Sequence, residues 1–171
     1  MDGTIAALFF AASLTDMVFN DCRSEGCLAP ADERGRLSLG GGDVVFQSNI
    51  VGSEAYLRYD FAQRRGPFQP SVGLSVSDKG DTWVGIGAVY NIPIEHNRIY
   101  GQLSLLPGLY QRDNGPDLGH EIEFRSALEI GYEARSGMRV GLSYDHRSNF
   151  DFGSINPGLE TLQIRVSFPV K

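Results

Sequence analysis

Three polar residues near the C-terminus have the types that nucleophilic ester hydrolysis needs. His146 and Ser148 lie two residues apart, and Glu160 follows after an intervening loop. A serine hydroxyl that attacks a carbonyl needs an adjacent base such as histidine, and a carboxylate that orients the imidazole completes the set. The pattern therefore predicts a hydrolase in which Ser148 is the nucleophile, His146 the general base and Glu160 the orienting carboxylate.

Two alternating segments position these three residues. Residues 140–149 and 160–168 alternate between apolar and polar side chains, which predicts a β-hairpin. Its apolar face consists of even-numbered residues: Val140, Leu142, Tyr144, Leu162, Ile164, Val166 and Phe168. His146, Ser148 and Glu160 are also even-numbered, so they extend this apolar face rather than the polar one. A serine, a histidine and a carboxylate at one end of an apolar surface indicate a lipid substrate.

The register of the hairpin decides how the three side chains meet. If Ser148 lies opposite Glu160, the carboxylate is diagonal to His146 at about 7–8 Å between backbones, a gap that side chains can bridge. The oxyanion of the reaction also needs hydrogen-bond donors, and glycine lets a ligand approach its backbone closely. The candidate donors are the side-chain amides of Asn149 and Asn156 and the backbone N–H of Gly158.

The chain repeats this alternation from about residue 36 onwards. Eight segments show it: residues 37–45, 54–61, 72–77, 83–90, 98–105, 121–133, 139–149 and 160–168. One face is aliphatic and aromatic in almost every segment, whereas the other mixes acidic and basic side chains. We therefore predict an all-β fold, an eight-stranded antiparallel transmembrane β-barrel with charges paired in its lumen and apolar residues facing lipid. A soluble lipocalin-type barrel would reverse the two faces.

The connections between the segments differ in length. Residues 63–66, 93–97 and 134–137 form short links, whereas residues 113–119 and 149–159 form longer ones. Outer-membrane barrels have short periplasmic turns and longer extracellular loops. With both termini in the periplasm, the long loops are extracellular, and the serine, histidine and glutamate lie at the extracellular end.

The first 35 residues differ from the barrel domain predicted over residues 36–171. An apolar run, Thr4–Leu14, has the length of a signal-peptide core, although Asp2 is the only charged side chain before it. We predict that this run belongs to a signal peptide, and the alternative is an ordinary buried or disordered tail. In an exported chain, Cys22 and Cys27 are expected to form a small local disulfide.

Composition excludes several classes of protein. A formal net charge of -6 argues against a nucleic-acid partner, since phosphate binding needs a basic surface. No stretch approaches the ~20 apolar residues of a membrane helix. The three histidines, at positions 96, 120 and 146, lie far from the two cysteines in sequence. We therefore expect neither a metal site nor a cofactor, and His96 and His120 are expected to be solvated.

The C-terminal hairpin resembles the signature of the outer-membrane lipid A 3-O-deacylases. The motifs are His146-x-Ser148-Asn149, then Asn156-Pro157-Gly158-x-Glu160-Thr161-Leu162, with residues 124–132 as the approach. The resemblance is strong over residues 121–171 and architectural over 36–120. It implies an eight-stranded barrel of the bacterial outer membrane that removes the ester-linked primary 3-hydroxyacyl chain of lipid A. By motif position, the triad of the family is Ser148, His146 and Glu160, and its oxyanion asparagine is Asn156, with Asn149 as a second polar neighbour.

Two other classes of function remain open from the sequence. One is a different lipid enzyme on a similar barrel, such as an acyltransferase or a phospholipase. The other is a non-catalytic barrel, either an adhesin or a structural protein of the outer membrane. The expected partner is lipid A within lipopolysaccharide, and the sequence leaves both a monomer and a homodimer open.

Overall fold

A closed barrel of eight antiparallel strands forms the centre of the protein. The computed structural model describes residues 3–23, 26–94 and 98–170. The barrel strands are β2 (Gly35–Phe46), β3 (Asn49–Asp60), β5 (Gln69–Ser77), β6 (Thr82–Ile92), β7 (Ile99–Gln111), β8 (Ile122–Glu133), β9 (Arg139–Ser148) and β10 (Leu159–Val170). Each strand pairs with its sequence neighbours in this set, and β10 closes the barrel against β2. The predicted fold class and strand number are confirmed.

Alternation along the strands separates a charged interior from an apolar exterior. Arg58, Arg125 and Arg165 are at most 2% exposed, and they face the lumen. Ile86 and Ile164, in contrast, are 64% and 65% exposed on the outside. An exposed apolar surface around a charged interior is the arrangement of a membrane barrel, and the predicted direction of the two faces is correct.

Side chains fill the lumen. Apolar residues pack together at the end that carries the long loops: Val44, Tyr56, Trp83, Leu106, Tyr110, Leu118 and Leu159. Deeper in the barrel, Arg125 stacks its guanidinium 3.9 Å from the centre of the Tyr56 ring. Tyr100 lies against Gly141, where a Cβ atom would collide with the tyrosine hydroxyl. A barrel packed in this way leaves its outer surface and its rim for chemistry.

Four connections form the end of the barrel that we call the outer rim: residues 47–48, 78–81, 112–121 and 149–158. The two long loops lie here, and the three links predicted to be short lie at the opposite end with the C-terminus. The sequence did not indicate that the other two outer connections are tight turns. Gln47 and Ser48 adopt φ values of 49° and 68°, as the central residues of tight hairpin turns often do.

The segment before the barrel packs on its outside. Helix α1 (Thr4–Asp16) continues into a π-helical turn, and its Phe9 packs with Tyr90 and Leu103. Strand β1 (Pro30–Asp32) pairs with β4 (Gln63–Arg65), which lies within the link between β3 and β5. Cys22 and Cys27 form the predicted disulfide. The signal peptide stays a prediction.

None of the helices within the described residues has the length and apolar character to cross a membrane. His96, which was expected to be solvated, lies outside the described residues.

Arginine substitution at two depths tests the direction of the outer face. Ile164 lies at the middle of β10, and Phe168 lies near its end; both point outwards. We expect Ile164→Arg to destabilise the membrane-inserted barrel by about 2–4 kcal/mol and Phe168→Arg by about 0–1 kcal/mol, because the cost of a charge decreases away from the midplane. Unfolding in lipid vesicles measures both, and equal costs at the two depths would contradict the assignment.

Candidate active site

His146 and Ser148 lie on the outer face of β9, next to the outer rim. The neighbouring residues on this strand, Asp145 and Arg147, point into the lumen, where Asp145 contacts Arg125 and Arg147 contacts Glu54. These lumen pairs were expected from the sequence. They lie behind the candidate catalytic residues and tie β9 to β8 and β3.

The imidazole of His146 faces the carboxylate of Glu160. The two residues are direct partners in the β9–β10 register, and His146 Nδ1 lies 3.4 Å from Glu160 Oε1. The register considered from the sequence, with Ser148 opposite Glu160 and the carboxylate diagonal to His146, does not occur, because Glu160 is the direct partner of His146. The observed register is better suited to orienting a base, since directly opposed side chains are closer than diagonal ones. The 3.4 Å separation is long for a hydrogen bond.

Two residues of β8 complete the surroundings of the candidate triad. Neither was predicted as a site residue from the sequence. Ser126 is the cross-strand partner of His146 and is 2% exposed, and its hydroxyl donates to the His146 carbonyl oxygen at 3.4 Å. Phe124 is the partner of Ser148. One feature of the sequence could have indicated Ser126: it is a polar residue at an even position, between apolar residues on the same face of the strand. Its pairing with His146 could not be predicted, because the register between strands is known only from the fold.

An aromatic cluster stands on the rim beside Ser148. The rings of Phe124, Phe150 and Phe152 contact each other with centroids 5.9–6.2 Å apart. Phe150 has a φ of 55°, which is uncommon for an aromatic residue, and the turn lets its ring meet Phe124. Phe150 and Phe152 are 71% and 57% exposed. His120, which was expected to be solvated, contacts Phe152 with a centroid separation of 6.2 Å.

Asn149 holds the two long loops together. Its side-chain amide donates to the carbonyl oxygens of Leu118 at 2.8 Å and Ile155 at 2.7 Å, and the residue is fully buried. An amide nitrogen has two hydrogens, so both are already used. In this arrangement the side-chain amide of Asn149 connects the two loops, and the oxyanion role expected from the sequence stays a prediction.

Asn156 and Gly158 lie in the same loop as Asn149 but differ from it in their hydrogen bonds and in their position relative to Ser148. Asn156 accepts a hydrogen bond from the Asn149 backbone N–H at 3.1 Å, and its amide donates to Asp151 at 2.9 Å. Gly158 has a φ of 73° and directly precedes β10. Since Leu159 pairs with Arg147, continuing the antiparallel register by one residue sets Gly158 across from Ser148.

Truncation of Asn149 tests its role in the loops. Asn149→Ala leaves two carbonyl groups without their donor, at a cost of about 1–3 kcal/mol for each buried group. We expect kcat to fall about 10–100-fold while the barrel stays folded, because a small displacement of catalytic groups is costly. Asn114→Ala, in an exposed part of the loop between β7 and β8, is the matched control. Equal turnover in the two variants would contradict this role.

Residues 3–23, 26–94 and 98–170 contain no set of side chains suited to bind a metal ion. No three His, Cys, Asp or Glu side chains in these ranges lie close enough together to hold a metal ion.

Comparison with known proteins identifies the family. The family model described as lipid A 3-O-deacylase (PagL) matches residues 52–169, which is most of the chain. The chain belongs to this family. The match extends through seven of the eight barrel strands, well beyond the C-terminal motifs. The protein is therefore an enzyme of the outer membrane that deacylates lipid A by hydrolysing an ester bond.

Solved structures show the same fold. The outer membrane enzyme PagL aligns with a TM-score of 0.60 and 16% identity, over 79% of this chain and 99% of that one. A de novo designed transmembrane β-barrel aligns with a TM-score of 0.58 and 10% identity, over 82% of this chain and all of the designed one. At these identities the likeness concerns the barrel alone. No curated protein matches the chain.

Proposed function

We propose that this PagL-family enzyme hydrolyses the ester of the 3-O-linked primary acyl chain of lipid A through Ser148, His146 and Glu160. The observation that carries the proposal is the pairing of His146 Nδ1 with Glu160 Oε1 on the lipid-facing surface. A base oriented by a carboxylate, two residues from a serine on the same face, is the arrangement that serine esterases use. Its position at the outer rim matches an ester near the lipid headgroup.

The reaction proceeds through an acyl-enzyme intermediate. His146 Nε2 accepts the hydroxyl proton of Ser148 while Ser148 Oγ attacks the ester carbonyl. Collapse of the tetrahedral intermediate expels the sugar 3-oxygen, which takes the proton from His146. Water then attacks the acyl-serine with His146 again as the base, and a free fatty acid leaves. Glu160 holds the imidazole and stabilises its protonated form throughout.

The developing oxyanion lies on the rim side of Ser148. We assign the Gly158 backbone N–H as one donor, because the register sets this residue across from Ser148. Asn156 is the second candidate donor, since its side-chain amide has two hydrogens and Asp151 accepts from that amide. Donors fixed by the backbone need no rearrangement when charge develops, which is why they stabilise a transition state strongly.

Product analysis tests the proposed reaction. Purified protein is incubated with lipid A and phospholipids in mixed micelles, and both the lipids and the released material are analysed by mass spectrometry. We expect loss of one ester-linked 3-hydroxyacyl group and an equal amount of free 3-hydroxy fatty acid. Transfer of the chain to a second lipid would indicate an acyltransferase instead, and release from phospholipids alone would indicate a phospholipase.

A further inference from the structure

A pocket lies on the outer rim, where the loop between β7 and β8 meets the end of β7. It has a volume of about 590 Å³, within the range of about 300–1,000 Å³ that is common for small-molecule sites. We call it the rim pocket. Its apolar residues are Leu109, Tyr110 and Leu118. Its polar residues are Gln111, Arg112, Asp117, His120 and Glu121. The rim pocket therefore shares no residue with the candidate triad.

The charges of the rim pocket suit the hydroxyl groups of a sugar better than a phosphate. Among the described residues that line it, Arg112 is the one arginine, and it already pairs with Asp117 at 3.1 Å. Glu121 adds a second carboxylate, so an anion would meet a surplus of negative charge. Sugar hydroxyls both donate and accept hydrogen bonds, so carboxylates and a guanidinium can bind them together.

Two side chains of the rim pocket are held in place and still have hydrogens to donate. Arg112 donates from Nε to the Gly115 carbonyl oxygen at 3.0 Å and from Nη1 to Asp117 at 3.1 Å, whereas its Nη2 makes no hydrogen bond within the described residues. His120 Nδ1 accepts from the Ile122 backbone N–H at 2.9 Å, so the neutral imidazole donates from Nε2. The Arg112 and Asp117 side chains are 51% and 60% exposed, so a ligand reaches them without opening the loop.

The distance between the rim pocket and Ser148 is about the length of a disaccharide. Phe124 is the β8 partner of Ser148, and β8 pairs with Leu109 of the pocket two residues nearer the rim. Two strand spacings and two residues of strand correspond to about 10–12 Å. The ring of Phe152 contacts both Phe124 and His120, so packed side chains connect the two places.

We propose that the rim pocket binds the second glucosamine of the lipid A disaccharide, while the first glucosamine presents its 3-O-acyl ester to Ser148. This inference rests on the proposed function, which places the ester carbonyl at Ser148. The acyl chain then stays on the lipid-facing side of the barrel, and the second sugar lies on the rim, away from the hydrocarbon layer. Because the rim pocket touches no reacting atom, it strengthens the binding of a disaccharide and leaves the hydrolysis of a single-sugar substrate unchanged.

Two synthetic substrates test the proposal. Both carry one 3-O-linked 3-hydroxyacyl chain on a glucosamine, and one of them has a second, unacylated glucosamine attached as in lipid A. For full-length wild-type protein in detergent micelles, we expect kcat/KM to be about tenfold or more higher on the disaccharide, as several hydrogen bonds to charged groups allow. Arg112→Gln and Glu121→Gln should each lower this preference by about threefold or more, and the double variant should abolish it. On the single sugar, kcat/KM should change by less than about twofold.

The matched control is Lys79→Gln, which also removes one exposed positive charge from the outer rim, in the turn between β5 and β6. This variant should keep the preference for the disaccharide. Heat-modifiable migration on gels checks that each barrel is folded.

The outcomes separate this inference from the proposed function. Wild-type protein that hydrolyses neither substrate would overturn the proposed function. Active wild-type protein with equal kcat/KM on the two substrates would overturn the role of the rim pocket alone, as would a preference that survives in the double variant. An equal loss on both substrates in the variants would also overturn that role, because it would show that the loop affects the chemistry and not the binding of the second sugar.

Discussion

Replacement of Ser148 by alanine is expected to abolish lipid A deacylation while the barrel remains folded. Loss of a triad serine removes the covalent route and costs about 10⁴–10⁶-fold in kcat. The substitution deletes one oxygen from a half-buried position next to the rim and leaves the lumen contacts of β9 intact. Mass spectrometry of lipid A from cells that express either protein measures the loss, and heat-modifiable migration of the two barrels shows whether both are folded.

Two further serines make this test specific. Ser53→Ala removes an exposed outward-facing hydroxyl from β3, far from His146 in the register, and should deacylate lipid A as the wild type does. Ser126→Ala removes the hydroxyl of the cross-strand partner of His146, which donates to the His146 carbonyl oxygen. If activity survived in Ser148→Ala and disappeared in Ser126→Ala, Ser126 would be the nucleophile and the proposed triad would be wrong.

Glu160→Ala should have a smaller effect than Ser148→Ala. The carboxylate orients His146 and stabilises its charged form but makes no bond to the substrate. We expect kcat to fall on the order of 10²–10⁴-fold, with residual turnover that Ser148→Ala lacks. Single-turnover measurements of acyl release compare the two variants. Equal residual rates would show that Glu160 is as indispensable as the nucleophile.

The faces of the strands were predictable from the sequence because side chains alternate strictly along a strand. Parity alone placed His146 and Ser148 on the apolar face, and the alternation along β9 agrees, since Leu142 and Tyr144 are exposed whereas Asp145 is buried. Asn149 is fully buried, and its amide connects the two long loops. The sequence showed only its chemical type, and this contact between the loops required the fold.

The residues that face each other on neighbouring strands could not be predicted in the same way. Glu160 lies between His146 and Val45, and Ser126 lies beside His146 on the other side. These neighbours come from register, which depends on how a ten-residue loop closes and how the barrel shears.

Removal of the charge of Asp145 is expected to lower the free energy of unfolding of the barrel by several kcal/mol. Its carboxylate lies 2.8 Å from Arg125 Nε and 3.1 Å from Arg165 Nη2, and all three side chains are at most 1% exposed. Asp145→Asn keeps the shape but removes one of the two carboxylates beside each guanidinium, so that Arg125 keeps Glu54 and Arg165 keeps Glu129. Breaking a buried ion pair by removing one partner costs about 3–5 kcal/mol. Chemical unfolding of the barrel in lipid vesicles measures this free energy.

Two comparisons, an exposed ion pair and a double variant, test whether burial of the ion pair causes the expected loss of stability. Asp117→Asn breaks an ion pair of similar length with Arg112, at 3.1 Å, but these side chains are 60% and 51% exposed, so the cost should stay below about 1 kcal/mol. In Asp145→Asn/Arg165→Gln, one of the two cations that contact Asp145 is gone as well. The double variant should therefore lose less than the sum of its single substitutions, since coupled residues are not additive. Additive losses would mean that Asp145 and Arg165 do not stabilise each other, and that Glu54 and Glu129 balance the lumen arginines without Asp145.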